Sequence, residues 1–226
     1  MNLFGVLSEV YPTLLTGLTM TVKITILSLI IALVIGIFVC LMNISSNIVL
    51  RGIAKFYIWL IRGTPMLVQA FYFYFALPQL VQAVTGSQFR ITVFTASLVT
   101  LALNAGAYIS EIFRGSIESV NKGQMEAARS LGLGYGKAMQ KVVLPQAIRT
   151  MVPSIINQFI ISLKDTSILS VIGFPELTKA GNIIVGNTFA VAQVWGVVAI
   201  MYMIVITVLS KIAKRIERRL NVGKER

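Results

Sequence analysis

The side chains able to do chemistry are few, and most stand in apolar surroundings. Lys164 and Asp165 lie side by side within the apolar run 152–173, next to Thr166 and Ser167 and after Asn157, Gln158 and Ser162. An ionisable group inside a membrane-crossing helix is costly, so a functional role is its default reading. Neighbours on a helix point about 100° apart, so Lys164 and Asp165 need not pair with each other. They fit a polar lining for a zwitterion, whose ammonium and carboxylate want opposite partners. They fit equally a structural ion network tying helices together, or an outer helix end near water. Gln158 and Ser162, four residues apart, share a face. A neutral Gln158 on such a route suits a neutral polar ligand better than a strongly cationic one. Ser162 with Lys164 as base would make an intramembrane hydrolase, but at i, i+2 the two occupy different faces and would not meet.

Other constellations are quickly bounded. Glu111 and Arg114, at i, i+3, read as an anchoring pair at a helix end. In Arg62-Gly63-Thr64-Pro65, Thr64 can cap a helix and Pro65 can occupy its first turn. Histidine is absent and Cys40 is the only cysteine, so an internal disulfide is impossible and no His/Cys metal site is expected. The string Gly132-Leu-Gly-Tyr-Gly136-Lys137-Ala138 invites comparison with a phosphate-binding loop, which needs G-x-x-x-x-G-K-S/T. Leu131 stands at the first glycine position and Ala138 at the hydroxyl position. No nucleotide-binding motif, no catalytic residue and no cofactor of the chain's own are expected.

The elements that must position these groups are membrane helices. Of 226 residues, 56% are hydrophobic and only 12% charged, with a mean hydropathy of +0.83. Soluble domains carry about 25% charged residues, so there is too little charge here to coat a soluble surface. Crossing roughly 30 Å of hydrocarbon takes about 20 apolar residues. Five runs qualify, giving spans at about 14–42, 63–85, 91–113, 152–173 and 190–211. They lack the alternation of barrel strands. The segment Ile48–Ile61, with Arg51 and Lys55, is short of a span and reads as an interfacial helix. The expected fold is all-α integral membrane: one domain over 1–226, with five transmembrane helices.

Lysine and arginine total 20 against eight acids, a net charge of +12. With the N-terminus outside, Arg51, Lys55 and Arg62 fall on the inner side. So do Arg114, Lys122, Arg129, Lys137, Lys141 and Arg149, in or beside the loop after the third span. Lys211, Lys214, Arg215, Arg218, Arg219, Lys224 and Arg226 then form an inner tail. Only Lys23, Arg90, Lys164 and Lys179 remain for the outer side or the bilayer. This asymmetry points to an outside N-terminus and a cytoplasmic C-terminus. It accounts for the basic excess by a lipid bilayer and without nucleic acid.

The longest polar stretch is the inner loop at about 115–150, between helices 3 and 4. Gln124–Leu131 favours a helix, with Glu126 expected in the first turn, where the dipole favours a carboxylate. Met125, Ala128 and Leu131 are expected along one face. Gly132 can supply a left-handed terminator. A second short helix, Tyr135–Val143, is expected to stop before Pro145. Such a loop is either packed on its own chain or a docking element for a cytosolic partner.

At these residues the chain resembles a known family. Glu126-Ala127-Ala128, then Gly132, then Val142-x-Leu144-Pro145 is similar to the EAA loop of ABC-importer permeases, with Val142 where isoleucine is usual. Arg62-Gly63-Thr64-Pro65-Met66-Leu67-Val68-Gln69, Asn104–Glu111 and Lys164-Asp165-Thr166-Ser167 resemble segments of the polar amino-acid branch, which includes histidine, glutamine, arginine and cystine permeases. The resemblance covers about residues 13–220. It implies a permease of the bacterial inner (plasma) membrane for a polar amino acid, glutamine-like or related. Its cytoplasmic coupling helix would fit a groove on a separate ATPase subunit that binds ATP and magnesium. It also implies a second permease chain, since five helices are too thin a bundle to enclose such a route, and an extracytoplasmic amino-acid-binding protein. The competing class is a self-sufficient channel or secondary transporter, which would not need the loop.

Overall fold

Small residues on the first apolar run determine how the bundle closes. In the computed structural model, which describes residues 3–221 and side chains from 11 to 219, α1 spans Leu3–Ile44. Gly17, Thr21, Thr25, Ser28, Ala32 and Gly36 recur every three or four residues along it, the spacing that lets membrane helices approach closely. The buried hydroxyls are satisfied within the helix: Thr21 donates to the Gly17 carbonyl, Thr25 to Thr21 and Ser28 to Thr25, at 3.1, 2.7 and 3.0 Å. Gly17 and Thr21 meet the 176–180 stretch, where the Leu177 amide donates to Thr21 at 3.1 Å, and the rest of this face packs on the central helix α5 (Val93–Glu118), itself lined by Ala102, Ala105, Gly106 and Ala107.

Between them, α2 (Ile48–Gly63) is capped by Asn47, whose side chain accepts from the Val49 and Leu50 amides. It buries Ala54 and Ile61, half-buries Tyr57 and Ile58, and leaves Phe56 and Trp59 outside. The chain then turns at Thr64-Pro65 into α3 (Met66–Phe71), a π turn (Tyr72–Ala76) and α4 (Leu77–Thr85). Gly86, at φ 69°, ends α4 before the Thr92 cap starts α5. After α5 come α6 (Lys122–Ser130) and α7 (Tyr135–Ala138), a second π turn (Met139–Val143) and α8 (Leu144–Asp165). A 3-10 turn (Thr166–Ile172) follows, then Gly173 at φ 89°, α9 (Leu177–Thr188) and α10 (Val191–Asn221).

Among the described residues every regular element is helical. Five segments are long and apolar enough to cross a membrane: Tyr11–Ile44, Met66–Thr85, Val93–Glu118, Tyr135–Ile172 and Val191–Arg219. The number agrees with the expectation from the sequence. The fourth is longer than the 152–173 expected, because its helix does not stop before Pro145. In the π turn the Leu144 amide reaches back to Met139, five residues away. That wider turn gives the Pro145 ring room and places the proline in the first turn of α8, where its missing N–H is not needed. The loop expected at 115–150 is correspondingly shorter, since 115–118 belong to α5 and 144–150 to α8. Lys224 and Arg226 of the inner tail lie outside the described residues.

Candidate functional site: an inner loop helix and a polar cleft

α6 is built to end sharply. Asn121 caps it by accepting from the Gly123 amide at 2.8 Å. Gly132, at φ 86°, closes it: the Leu133 amide donates to Ala128 and the Gly132 amide to Arg129, at 3.2 and 3.0 Å. The helix begins at Lys122, so Glu126 lies in its second turn and not its first, beyond most of the dipole's reach. Leu131 falls at the cap with its backbone already turned away, and at 84% exposure it leaves the face expected of it with Met125 and Ala128. Ala128 is 4% exposed, where α6 packs on α7 and the second π turn. Its close approach is therefore to its own chain. Glu126, Ala127 and Leu131 stay exposed, Leu144 is half-buried, and Pro145 is exposed at the foot of α8. Gln146 bridges the two parts, donating to Gln124 at 3.3 Å and to the Val142 carbonyl at 3.0 Å. α6 thus rests directly on the start of the fourth span.

The second feature is a cleft of about 610 Å³ lined by Arg62, Gly63, Thr64, Pro65 and Met66 from the α2–α3 corner, Asn104 and Tyr108 from α5, and Gln158, Ile161 and Asp165 from α8. Of the seven pathway residues expected on α8 and beyond, the structure brings Gln158 and Asp165 into it. Asn157 is exposed outside it. Ser162, 2% exposed, only receives a long 3.4 Å hydrogen bond from Gln158. Thr166 and Ser167 donate back to the Leu163 and Lys164 carbonyls, at 2.8 and 2.7 Å, at the α-to-3-10 transition. Lys164 is exposed and forms no ion pair with Asp165 among the described residues.

The corner is fixed differently from expectation. Thr64 does not cap α3; its hydroxyl donates back to the Leu60 carbonyl at 2.8 Å, and Pro65 takes the cap position. Gln69 supplies the missing tie. Its amide nitrogen donates to the Ile61 carbonyl at 2.7 Å and to Thr64, while its oxygen accepts from Asn104 at 3.1 Å. Arg62 sits 5.1 Å over the Tyr108 ring and 3.5 Å from Glu111. Glu111 takes both Nε and a terminal nitrogen of Arg114 at 2.9 Å, the anchoring pair expected from their spacing. Gln69 and Asn104 carry no role in the sequence reading. Their one signal was a polar amide inside an apolar span, which needs a partner if it is buried.

The profile of the family described as binding-protein-dependent transport system inner membrane component matches residues 32–222. The glutamine transport system permease protein GlnP of Escherichia coli is 42% identical over 211 residues, 93% of this chain and 94% of that protein. The arginine transport system permease protein ArtQ of Bacillus subtilis is 38% identical over 209 residues, 92% and 93% of the two chains. A crystal structure described as an amino acid ABC transporter with histidines superposes with a TM-score of 0.90 at 38% identity, covering 97% and 99%. The MetNI methionine ABC transporter, at 19% identity and a TM-score of 0.72 over 92% and 95% of the chains, shares the fold. The matched family model and these full-length likenesses show that the chain belongs to the binding-protein-dependent transport system inner membrane components: it is a multi-pass permease subunit of a bacterial amino-acid ABC transporter, not itself an enzyme.

Proposed function

We propose that this permease imports a polar amino acid of the glutamine type, driven by a separate ATPase that docks on α6. The observation that carries the coupling is the seating of α6. Its inner side rests on α7 and on the π turn that runs into α8, with Gln146 of α8 tied to Gln124, while Glu126, Ala127 and Leu131 face outward without cover. A push on that exposed side reaches the cleft helix without crossing a flexible link. The substrate class follows from the resemblance to glutamine and arginine permeases and from the cleft itself, where Arg62 and Asp165 offer opposite charges and Gln158 a neutral amide. Arg62 would take a carboxylate and Asp165 an ammonium, with Gln158 beside the side chain. Asn157, Ser162, Lys164, Thr166 and Ser167 act around this route, on a second permease chain or on the helix that carries the cleft. ATP and magnesium belong to the ATPase, and an extracytoplasmic binding protein delivers the substrate. The N-terminus lies outside and the C-terminus in the cytoplasm of the inner membrane.

The test is reconstitution of the chain with its ATPase and any partner permease in liposomes, reading ATP hydrolysis stimulated by glutamine-loaded binding protein. Glu126→Lys is expected to lower the stimulation about tenfold or more, as loss of a central interface residue does. Asp165→Asn is expected to spare ATPase assembly and lose glutamine uptake. Uptake that proceeds without any ATPase would favour the self-sufficient channel instead.

A further inference from the structure

A second cleft, of similar size, lies apart from the one above. It measures about 640 Å³ and lies between the end of α1, the outer side of α2 and the last turns of α5. Its charged lining consists of Arg51, Lys55, Glu111, Arg114 and Glu118. The two carboxylates are already taken. Arg114 binds both, and Arg62 adds a second cation to Glu111. Arg51 and Lys55 are the surplus. Arg51 is held in place by two nitrogens that donate to the Ser45 carbonyl, at 3.0 and 2.7 Å. Lys55 is exposed and makes no ion pair or side-chain hydrogen bond among the described residues. Asn43 also lines it and donates its amide to Glu111 at 3.4 Å; the rest of the wall is apolar, from Ile44, Ile58 and Trp59, and Trp59 is 68% exposed.

We infer that this cleft binds an acidic phospholipid. The phosphate lies against Arg51 and Lys55, and one acyl chain runs along Ile58 and Trp59. Three features select a lipid over a soluble anion. The basic pair sits on an amphipathic helix joining two membrane spans, where a headgroup lies by position. An indole beside it is a side chain that favours the membrane interface. The apolar wall continues along α2 to Phe56, 61% exposed with its ring 5.9 Å from that of Trp59, a surface that a soluble anion cannot use and an acyl chain can. Basic pockets between membrane helices recognise anionic headgroups by this combination of charge and flanking apolar surface. The inference rests on the membrane-spanning fold and not on the transported substrate.

Two tryptophans, Trp59 and Trp195, make a direct reading possible. With Trp195→Phe in every version, the full-length chain is placed in phosphatidylcholine bilayers. A fixed fraction of brominated phosphatidylglycerol or brominated phosphatidylcholine then quenches Trp59. Quenching is expected to report an association about fivefold stronger for the acidic lipid, falling about fivefold, to near parity, in Lys55→Gln. Lys55→Gln removes no internal hydrogen bond, so folding is not at issue. Lys214→Gln with Arg215→Gln, on the far part of α10, is expected to keep the preference. Equal quenching by the two lipids would overturn the inference. So would a preference that survives Lys55→Gln, or one lost equally in the α10 variant, since either marks general charge attraction. Inorganic phosphate added at constant ionic strength should leave the preference intact; competition would assign the cleft to a soluble anion instead.

Discussion

Gln69 illustrates how a single amide can hold a corner of a membrane protein together. It is 6% exposed, and its donor side joins the end of α2 while its acceptor side meets Asn104 on the central helix. Gln69→Leu keeps the bulk but leaves the Asn104 amide and the Ile61 carbonyl unpaired, each costing about 1–3 kcal/mol. A clear fall in detergent melting temperature is expected, with Gln69→Glu partly restoring the Asn104 contact. Glu176 is a second such residue. It is wholly buried and caps α9, accepting from the Lys179 and Thr178 amides at 2.6 and 2.8 Å and from the Tyr202 hydroxyl at 2.8 Å. Burial pushes its carboxyl above the usual range, more than those hydrogen bonds pull it down. A raised folded-state value means that its stabilising contribution is complete below the unfolded value of about 4.3 and is lost as pH rises through the folded value. Melting of wild type and Glu176→Gln across pH should therefore show wild type gaining on the variant as pH falls. A constant difference would remove the titration argument.

At the scale of elements, α1 and α5 approach so closely at two glycines that a methyl group has no room. A Cβ on Gly36 would lie 2.5 Å from Ile109 Cγ2 and 3.2 Å from the Ser110 amide nitrogen, and one on Gly106 would lie 2.8 Å from Ile35 Cγ2. Because the near atoms are branched side chain and backbone, neither site can yield cheaply. Gly36→Ala is expected to destabilise the bundle by about 1–3 kcal/mol, read as a lower melting temperature, whereas Gly186→Ala, with nothing within 4 Å, should not. The same reasoning separates the two loop ends. Gly132 meets no neighbour but needs its positive φ, so its role is backbone conformation and not space.

For the molecule as a whole, the two clefts share one network. Arg62 lines the cleft with Gln158 and Asp165, while its partner Glu111 lines the basic cleft beside α2. Movement of α5 or α2 that opens one therefore disturbs the other. The proposed orientation has its own test. After replacing buried Cys40 by serine, a cysteine at Ser87 in the α4–α5 link should react with an impermeant maleimide from outside intact cells. A cysteine at Lys214 should react only after the membrane is opened. The reverse pattern would invert the topology and move the α6 loop away from any cytoplasmic ATPase.

The number of spans, the basic bias of one side and the stop at Gly132 were legible in the sequence because each is local. Hydrophobic length, loop charge and the need for a positive φ are properties of consecutive residues. The loop motif was legible in the same way, as a pattern in order along the chain. Helix facing was not, because rotation about a helix axis is set by the partner it packs on. Ala128 turned inward for that reason, onto α7 and the second π turn, whereas Leu131 left the face because the backbone already turns away at Gly132. Only the tertiary structure decided that Gln69 would meet Asn104, that Arg62 would reach Glu111, and that Glu176 would be buried under Tyr202. Each of these pairs joins residues far apart in sequence, and a buried polar group accepts whichever partner the packing brings within hydrogen-bond distance.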